Sequence, residues 1–401
     1  MTHRRTPSTE SGFSRRRFLA RGGMVAAASA VAAAGWGSGW PLARESRAGE
    51  SAATDAVVPL SFEGTPKQIG IAYGKRFAQA ASRNMRVLLG ERVPAQAPAF
   101  RAWVRSQEKL VEKHWPWLIE EMRGVAAGCG VAFDEILLLN LRAWQYDYYG
   151  KPPGNSCSSL AITLADGTVA TTGAMDDPIE YYCGPVHVTP DTGYRFITFP
   201  ITGTSWGNRG MNSAGLSVGI SSQLLPGLRR LDHAVMQDIA MRAMLQTCAT
   251  VAEVRKFCRC HPFTMNLVCV DAAGGVFCAQ HTAAGLREIK VLDACALTNH
   301  IVEADAEHWL REHGVREFPR SPTTVTRRDK LLRFIASANK RCTAEEVKAL
   351  IARRDDADPA SIHNGGSIYL TYACPQAAKT TLWILQPKGP AGNDRFVRFA
   401  V

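Results

Sequence analysis

The chain has 401 residues, 46% hydrophobic and 21% charged, which is ordinary globular composition with apolar material for one large domain or two average ones. Thirty-four glycines and 21 prolines without a triplet period exclude a collagen-like or low-complexity chain. The net charge of +11 suggests nucleic acid only until it is divided: the first 48 residues hold eight arginines and two glutamates, leaving +5 and no basic–aromatic stripe for the remainder.

The first segment reads as an address. Ser14-Arg15-Arg16-Arg17-Phe18-Leu19 precedes Gly22-Gly23-Met24-Val25 and a run of Ala, Val and Gly to about Gly39. A charged start, a weakly apolar middle and small residues near Ser46-Arg47-Ala48 describe a secretory signal, and the paired arginines resemble the twin-arginine type. The expectation is a signal peptide over 1–48, a linker over 49–62, and one catalytic domain over 63–401, delivered to the periplasm or medium through the twin-arginine export machinery. The first cysteine is Cys129, so no lipid-bearing cysteine ends the leader and no stable membrane anchor is expected. No apolar run of about eighteen residues follows the leader, which excludes a helical membrane bundle.

Downstream, Thr65 and Pro66 open a helix as N-cap and first helical residue. Helical spacing continues through Tyr73, Phe77, Met85, Val87 and Leu88, with Trp103, Trp115 and Trp117 marking buried packing. A further helix ends at Gly128-Cys129-Gly130, and Phe133-Asp134-Glu135 opens the next. Residues 146–156 are loop chemistry. The period then changes: Cys157–Leu164, Ala165-Asp166-Gly167 and Thr168–Thr172 read as a strand, a turn and a strand. Strands are expected at 195–199, 216–221, 267–270, 276–279, 368–372 and 381–385, and helices at about 233–247, 250–259, 323–337 and 343–352. A helical block followed by mixed strands and helices is an α+β pattern.

Eleven cysteines are too few for a disulfide scaffold, and an odd number leaves one unpaired within the chain. Cys258-Arg259-Cys260-His261 has the wrong spacing for a zinc knuckle and reads as helix, with its cysteines on the apolar side. No metal or cofactor is called for. Cys157 is different, because it stands where a polar loop meets the first residue of a strand. One reading is a buried strand cysteine. The other is a thiol that attacks the carbonyl of Ser156 and cuts the chain between Ser156 and Cys157. The new α-amine, of reference pKa about 7.7–8.0, then serves as base for its own side chain.

Several segments together resemble the acyl-coenzyme A:6-aminopenicillanate acyltransferase family (peptidase family C45) of the N-terminal-nucleophile hydrolases. They are Gly64-Thr65-Pro66 with Ile69, Gly70 and Gly74; Ile119-Glu120-Glu121-Met122-Arg123-Gly124; Leu138-Leu139-Asn140-Leu141-Arg142; Cys157-Ser158-Ser159; Gly210-Met211-Asn212-Ser213-Ala214-Gly215-Leu216; and Thr298-Asn299-His300. Arg327–Leu332 and Thr381–Leu385 add weaker agreement. The resemblance implies a four-layer αββα sandwich with the nucleophile opening a sheet strand. It implies Cys157 as nucleophile and Asn299 as the amide that stabilises the oxyanion. Asp176 is implied as the carboxylate that orients the Cys157 amine or holds a substrate cation. Asn212, His300, His363 and Asn364 are expected in the substrate pocket or behind the reacting groups.

Departures accompany the resemblance. Ala174-Met175-Asp176 stands for a family Asn-Trp-Asp, Ser361-Ile362-His363-Asn364 for a Ser-Ile-Cys-Arg stretch, and Ser156 for a frequent glycine. The missing arginine removes a bidentate anion contact, so the pocket should differ. A cysteine–histidine dyad drawing on His187, His233, His281 or His300 is the competing mechanism. The expected function is an exported cysteine amidohydrolase that cleaves a linear amide of a small N-acyl compound through a thioester. The alternatives are acyl transfer to an amine and a non-processing binding protein of the same fold.

Overall fold

The computed structural model describes residues 59–401 except 90–97, 142–156, 178–180, 206, 224–233, 262, 283–284, 303–307, 309–310, 312–321, 338–341, 356–357, 359–360, 365–366 and 387–394. The expected leader, Ser156 and His233 lie outside the described residues. Strand β1 (Leu60–Gly64) leads into helices α1 (Pro66–Leu89), α2 (Pro98–His114), α3 (Pro116–Cys129) and α4 (Phe133–Asn140). Strands β2 (Ser158–Thr163) to β7 come after them: β3 (Val169–Asp176), β4 (Val186–Pro190), β5 (Phe196–Thr198), β6 (Arg209–Asn212) and β7 (Ser217–Ser221). Next come α5 (Gln237–Thr247), α6 (Val251–Cys260), β8 (Met265–Val270), β9 (Val276–Thr282), β10 (Gly285–Ile289) and β11 (Ala294–Leu297). The chain closes with α7 (Pro322–Ser337), α8 (Ala344–Ala352), β12 (Ser367–Ala373), β13 (Thr381–Leu385) and β14 (Val397–Ala400).

Two sheets result. One runs β1-β4-β5-β6-β7-β8-β9-β10 and the other β11-β2-β3-β12-β13-β14. Their pairing is antiparallel except for β1, which lies parallel to β4 with Leu60 opposite Val186. Four apolar clusters order the layers. The largest joins α1–α6 to the outer face of the eight-stranded sheet, through residues such as Leu118, Met122, Phe196 and Leu267. A second packs α7 and α8 against Leu160, Ala174 and Leu370 of the six-stranded sheet. The other two lie between the sheets, one around Cys157, Met175, Ile197 and Tyr369, and one around Ala161, Val268 and Cys278. The expected α+β, four-layer arrangement is therefore present, with each sheet covered by helices on one face and by the other sheet on its second face.

The order arises from the residues. Gln68 N–H donates to Thr65 Oγ1 and Gln68 Oε1 accepts from Thr65 N–H, so the start predicted for α1 is a reciprocal cap. Helices α1 and α3 cross almost in backbone contact, because Gly70 faces Gly124: a Cβ on Gly70 would lie 2.8 Å from Val125 N and closer still to Glu121 O. Buried Glu121 on α3 then accepts from Arg242 of α5 at 2.7 Å, and that guanidinium lies over the rings of Phe196 and Trp117. The ion pair and its aromatic walls tie the early helices to the one that comes after the first seven strands.

Three sequence expectations need correction. The stretch expected as linker ends inside the sheet, because Leu60 and Phe62 belong to β1. Strands β4, β6, β10, β11 and β14 were not expected, being short or polar on alternate residues. Cys258 packs in the core but Cys260 is exposed, since residues two apart on a helix face opposite ways. Among the described residues no helix is long and apolar enough to cross a membrane.

The α1–α3 crossing yields a direct expectation. Gly70→Ala puts a methyl group into backbone and should cost about 1–3 kcal/mol by overpacking. Urea unfolding should show a lower midpoint with an unchanged slope.

Candidate active site

Cys157 sits one residue before β2, and its side chain is 2% exposed. Ser158 pairs with Ala174 and Met175 with Tyr369, so Cys157, Met175 and Tyr369 occupy one row across three neighbouring strands. The row faces the other sheet: two residues on, Ser159 Oγ is 3.2 Å from Ser221 Oγ of β7. The Cys157 thiol points at Met175 Sδ at 3.2 Å. Tyr369 is stacked on Phe199 with ring centroids 3.8 Å apart, and its buried hydroxyl has no hydrogen-bond partner among the described residues.

Two buried guanidinium groups grip the start of β2. Arg327 comes from α7, and its Nη1 donates to Cys157 O at 2.6 Å and Ser158 Oγ at 2.7 Å. Its Nη2 donates to Asn299 Oδ1 at 3.0 Å. Arg209 comes from β6 of the facing sheet, and its Nη2 donates to Ser158 O at 2.8 Å, Ser159 Oγ at 2.7 Å and Ile220 O at 3.3 Å. The partners of both are thus carbonyls, hydroxyls and an amide oxygen.

Asn299 lies just past β11 in a bend that α7 fixes. Its backbone N–H donates to Thr324 Oγ1 at 2.8 Å, and its Nδ2 donates to Ser222 O at 2.9 Å. With Oδ1 on Arg327, one amide N–H has no partner among the described residues. His300 Nδ1 lies 3.1 Å from both Thr298 Oγ1 and Thr324 Oγ1, so it braces the hydroxyls that hold Asn299. Asp176 ends β3 and is buried; Ser367 Oγ donates to its Oδ1 at 2.7 Å and Asn364 Nδ2 to its Oδ2 at 2.9 Å. His363 is buried, with Nδ1 2.7 Å from Ala352 O of α8.

The structure therefore brings Cys157 and Asn299 together through Arg327, and Asn364 onto Asp176. His300 stands behind Asn299. Asn212 belongs elsewhere: Nδ2 donates to Leu245 O and Cys248 O at the end of α5, and Oδ1 accepts from Ala214 and Leu216 N–H. Its amide is spent on closing the β6–β7 turn against that helix, so it is not a pocket residue. Sequence reading missed Arg209 altogether and gave Arg327 no role. No local signal marked Arg209, because Gly207-Asn208-Arg209-Gly210 reads as a polar turn.

Electrostatics at the sulfur are opposed. Burial pushes the Cys157 thiol up to about 11, and the Asp176 carboxylate adds to that rise. Arg209, the Asp176 backbone N–H and Arg327 pull it back. The thiol is thus protonated at neutral pH. Among the described residues no histidine bonds to it. His281 lies edge-on to Phe263 at 4.7 Å, and burial lowers it to about 4. A cleft of about 490 Å³ opens at the far end of β2, lined by Ile162, Thr163, Phe277 and Lys290, away from the sulfur.

Known proteins share parts of this chain's pattern. The family model described as acyl-coenzyme A:6-aminopenicillanic acid acyl-transferase matches residues 176–340, a stretch that holds Asp176, Arg209, Asn299 and Arg327 and begins downstream of Cys157. The 40 kDa form of acyl-coenzyme A:6-aminopenicillanic-acid-acyltransferase from Emericella nidulans is 24% identical over 199 residues, 47% of this chain and 53% of that protein. The match therefore spans about half the length of that relative. Among solved structures, a mutant conjugated bile acid hydrolase from Clostridium perfringens aligns with TM-score 0.42 and 11% identity, over 61% of this chain and 92% of that one. The Caenorhabditis elegans ortholog of N-acylethanolamine-hydrolyzing acid amidase aligns with TM-score 0.40 and 13% identity, over 61% and 100%.

The depressed His281 gives a pH expectation. The unfolded chain takes up a proton near the ordinary histidine value of about 6.5, while the folded chain resists it down to about 4. Stability therefore falls as pH drops through that window, since the unfolded state binds the extra proton. His281→Gln should flatten this part of the curve of melting temperature against pH. The resemblance read from the sequence is borne out: residues 176–340 carry the pattern of the acyl-coenzyme A:6-aminopenicillanic acid acyl-transferase family.

Proposed function

We propose that the protein is an autoproteolytic cysteine amidohydrolase, exported by the twin-arginine route, in which Cys157 becomes a chain-starting nucleophile. The observation that carries this reading is the setting of Cys157. It immediately precedes β2, its own carbonyl is pinned by Arg327, and its sulfur lies in the electrostatic reach of Asp176. An internal thiol held up to about 11 needs a base to react at neutral pH. An α-amine created by scission of the 156–157 peptide supplies one on the same residue.

The amine takes the thiol proton and the sulfur attacks the substrate carbonyl carbon. The oxyanion meets the second N–H of Asn299, whose amide Arg327 and Ser222 hold in one orientation. Collapse expels the substrate amine, which leaves with the proton from the α-ammonium, and water then hydrolyses the thioester. Asp176, fixed by Ser367 and Asn364, lies close enough to bias the amine toward its charged form, and the Arg327 guanidinium opposes that bias.

A second outcome, transfer of the acyl group to an amine, is favoured by the name of the matching family and of its Emericella nidulans relative. The two share the thioester and differ in what resolves it. Coenzyme A is a cytoplasmic metabolite, so an exported enzyme meets water in its place.

Purified full-length chain should separate on denaturing gels into two fragments, the later one beginning at Cys157 by N-terminal sequencing. It should hydrolyse members of a panel of N-acyl p-nitroanilides, and Cys157→Ala should abolish both the cut and the hydrolysis. An active single polypeptide, uncut across 156 and 157, overturns the reading, as does hydrolysis undiminished in Cys157→Ala.

A further inference from the structure

Arg209 is buried at 3% exposure, reaches across from the facing sheet, and is not among the residues that the proposed reaction employs. Its position has been cleared for it. Its register partner on β7 is Gly219, and Gly173 lies opposite Ser159 on β3. A Cβ on Gly219 would come within 2.5 Å of Arg209 Nη1, and one on Gly173 within 2.7 Å of the same nitrogen. Two strands from different sheets thus carry glycine where a Cβ would crowd the guanidinium, and at Gly173 also Ser158 O. A buried charge is costly unless hydrogen bonds satisfy it. Here the bonds go to Ser158 O, Ser159 Oγ and Ile220 O rather than to a carboxylate.

The charge is therefore available to whatever lies nearby. The ionisable groups around the Cys157 sulfur are Asp176 from β3, Arg209 from β6, Arg327 from α7 and Tyr369 from β12. With the thiol protonated and Tyr369 neutral, this set carries two positive charges against one negative. Before any scission, while Cys157 has no α-amine of its own, ionising the sulfur balances it. A cation in a desolvated site acts far more strongly on a neighbouring ionisation than the same cation in water. In a site this dry the sulfur needs such a partner before it can react.

We propose that Arg209 is a positioning residue: from the opposite sheet it fixes the first residues of β2 and supplies the positive field in which the Cys157 sulfur ionises. The inference rests on Cys157 being the reacting sulfur. It adds a role for the second sheet, which makes this electrostatic contribution through a side chain that need not touch the substrate.

The ionisation of Cys157 can be tracked in the full chain by iodoacetamide alkylation from about pH 6 to about pH 11, resolved by peptide mass spectrometry, because the thiolate is the reacting form. Exposed Cys260 is the internal reference. Arg209→Gln should raise the Cys157 midpoint by about one unit or more, slowing its alkylation about tenfold at a fixed pH below the midpoint. Cys260 should be unchanged. Arg209→Lys, which keeps the charge, should leave the midpoint near that of the unmodified chain. A midpoint unmoved in Arg209→Gln overturns the proposal, and so does one raised equally in both variants. Should the glutamine variant not fold, the lysine variant decides: an unmoved midpoint supports the proposal, and a rise of about one unit or more overturns it. p-Nitroanilide hydrolysis by the unmodified chain is read on the same samples. Its absence defeats the amidase reading and leaves the Arg209 titration to be judged separately.

Discussion

Three consecutive residues, Cys157 to Ser159, are held by two guanidinium groups that approach from opposite sides. Arg327 takes the first carbonyl and Arg209 the second. Each arginine also bonds a serine side chain in the same stretch. This double grip fixes the start of β2 more tightly than ladder bonds alone, because Cys157 precedes the first paired residue. The rest of the architecture is arranged to permit it. One sheet must bring Arg209 across the interior, a helix on the outside of the other must bring Arg327, and glycines must vacate the space between.

The same arrangement explains why Asn299 lies near Cys157. It is joined to Cys157 through Arg327, and its own backbone is tied to Thr324, one turn before that arginine on α7. A rigid helix therefore sets the distance between the sulfur and the amide. Asp176 is held separately, by Ser367 and Asn364 of the strand beside it and the segment leading into that strand. The site is thus assembled from pieces more than 140 residues apart in the chain, and the two sheets serve as its common frame.

Much of this was legible in the sequence, and the reasons for the rest are physical. The change from helical to strand period at Cys157 was visible because β2 and the helices α1 to α4 carry clean apolar patterns. Strand β4 escaped notice because His187 and Thr189 alternate with its apolar residues near Pro185, a pattern that reads equally as loop. Asn299 lies next to Cys157 through Arg327 and Asn364 bonds Asp176, whereas Asn212, equally prominent in its turn, closes that turn on α5. An asparagine that satisfies four backbone groups and one that keeps an amide N–H to spare look alike in one dimension. Arg209 was invisible for a different reason: its significance lies in Gly173 and Gly219, which are distant from it in sequence or carry no side chain to announce a role.

The parallel pairing of β1 with β4 has its own consequence. Everything before position 157 that the structure describes is woven into the later strands and helices: β1 forms an edge of the larger sheet, and Leu118, Met122 and Leu137 interlock with the strands beneath. Were the backbone opened at Ser156, the upstream piece would remain as a non-covalent subunit. It would be retained by a buried seam rather than by the bond that was lost. Maturation in such a molecule changes the number of chains without changing the number of particles.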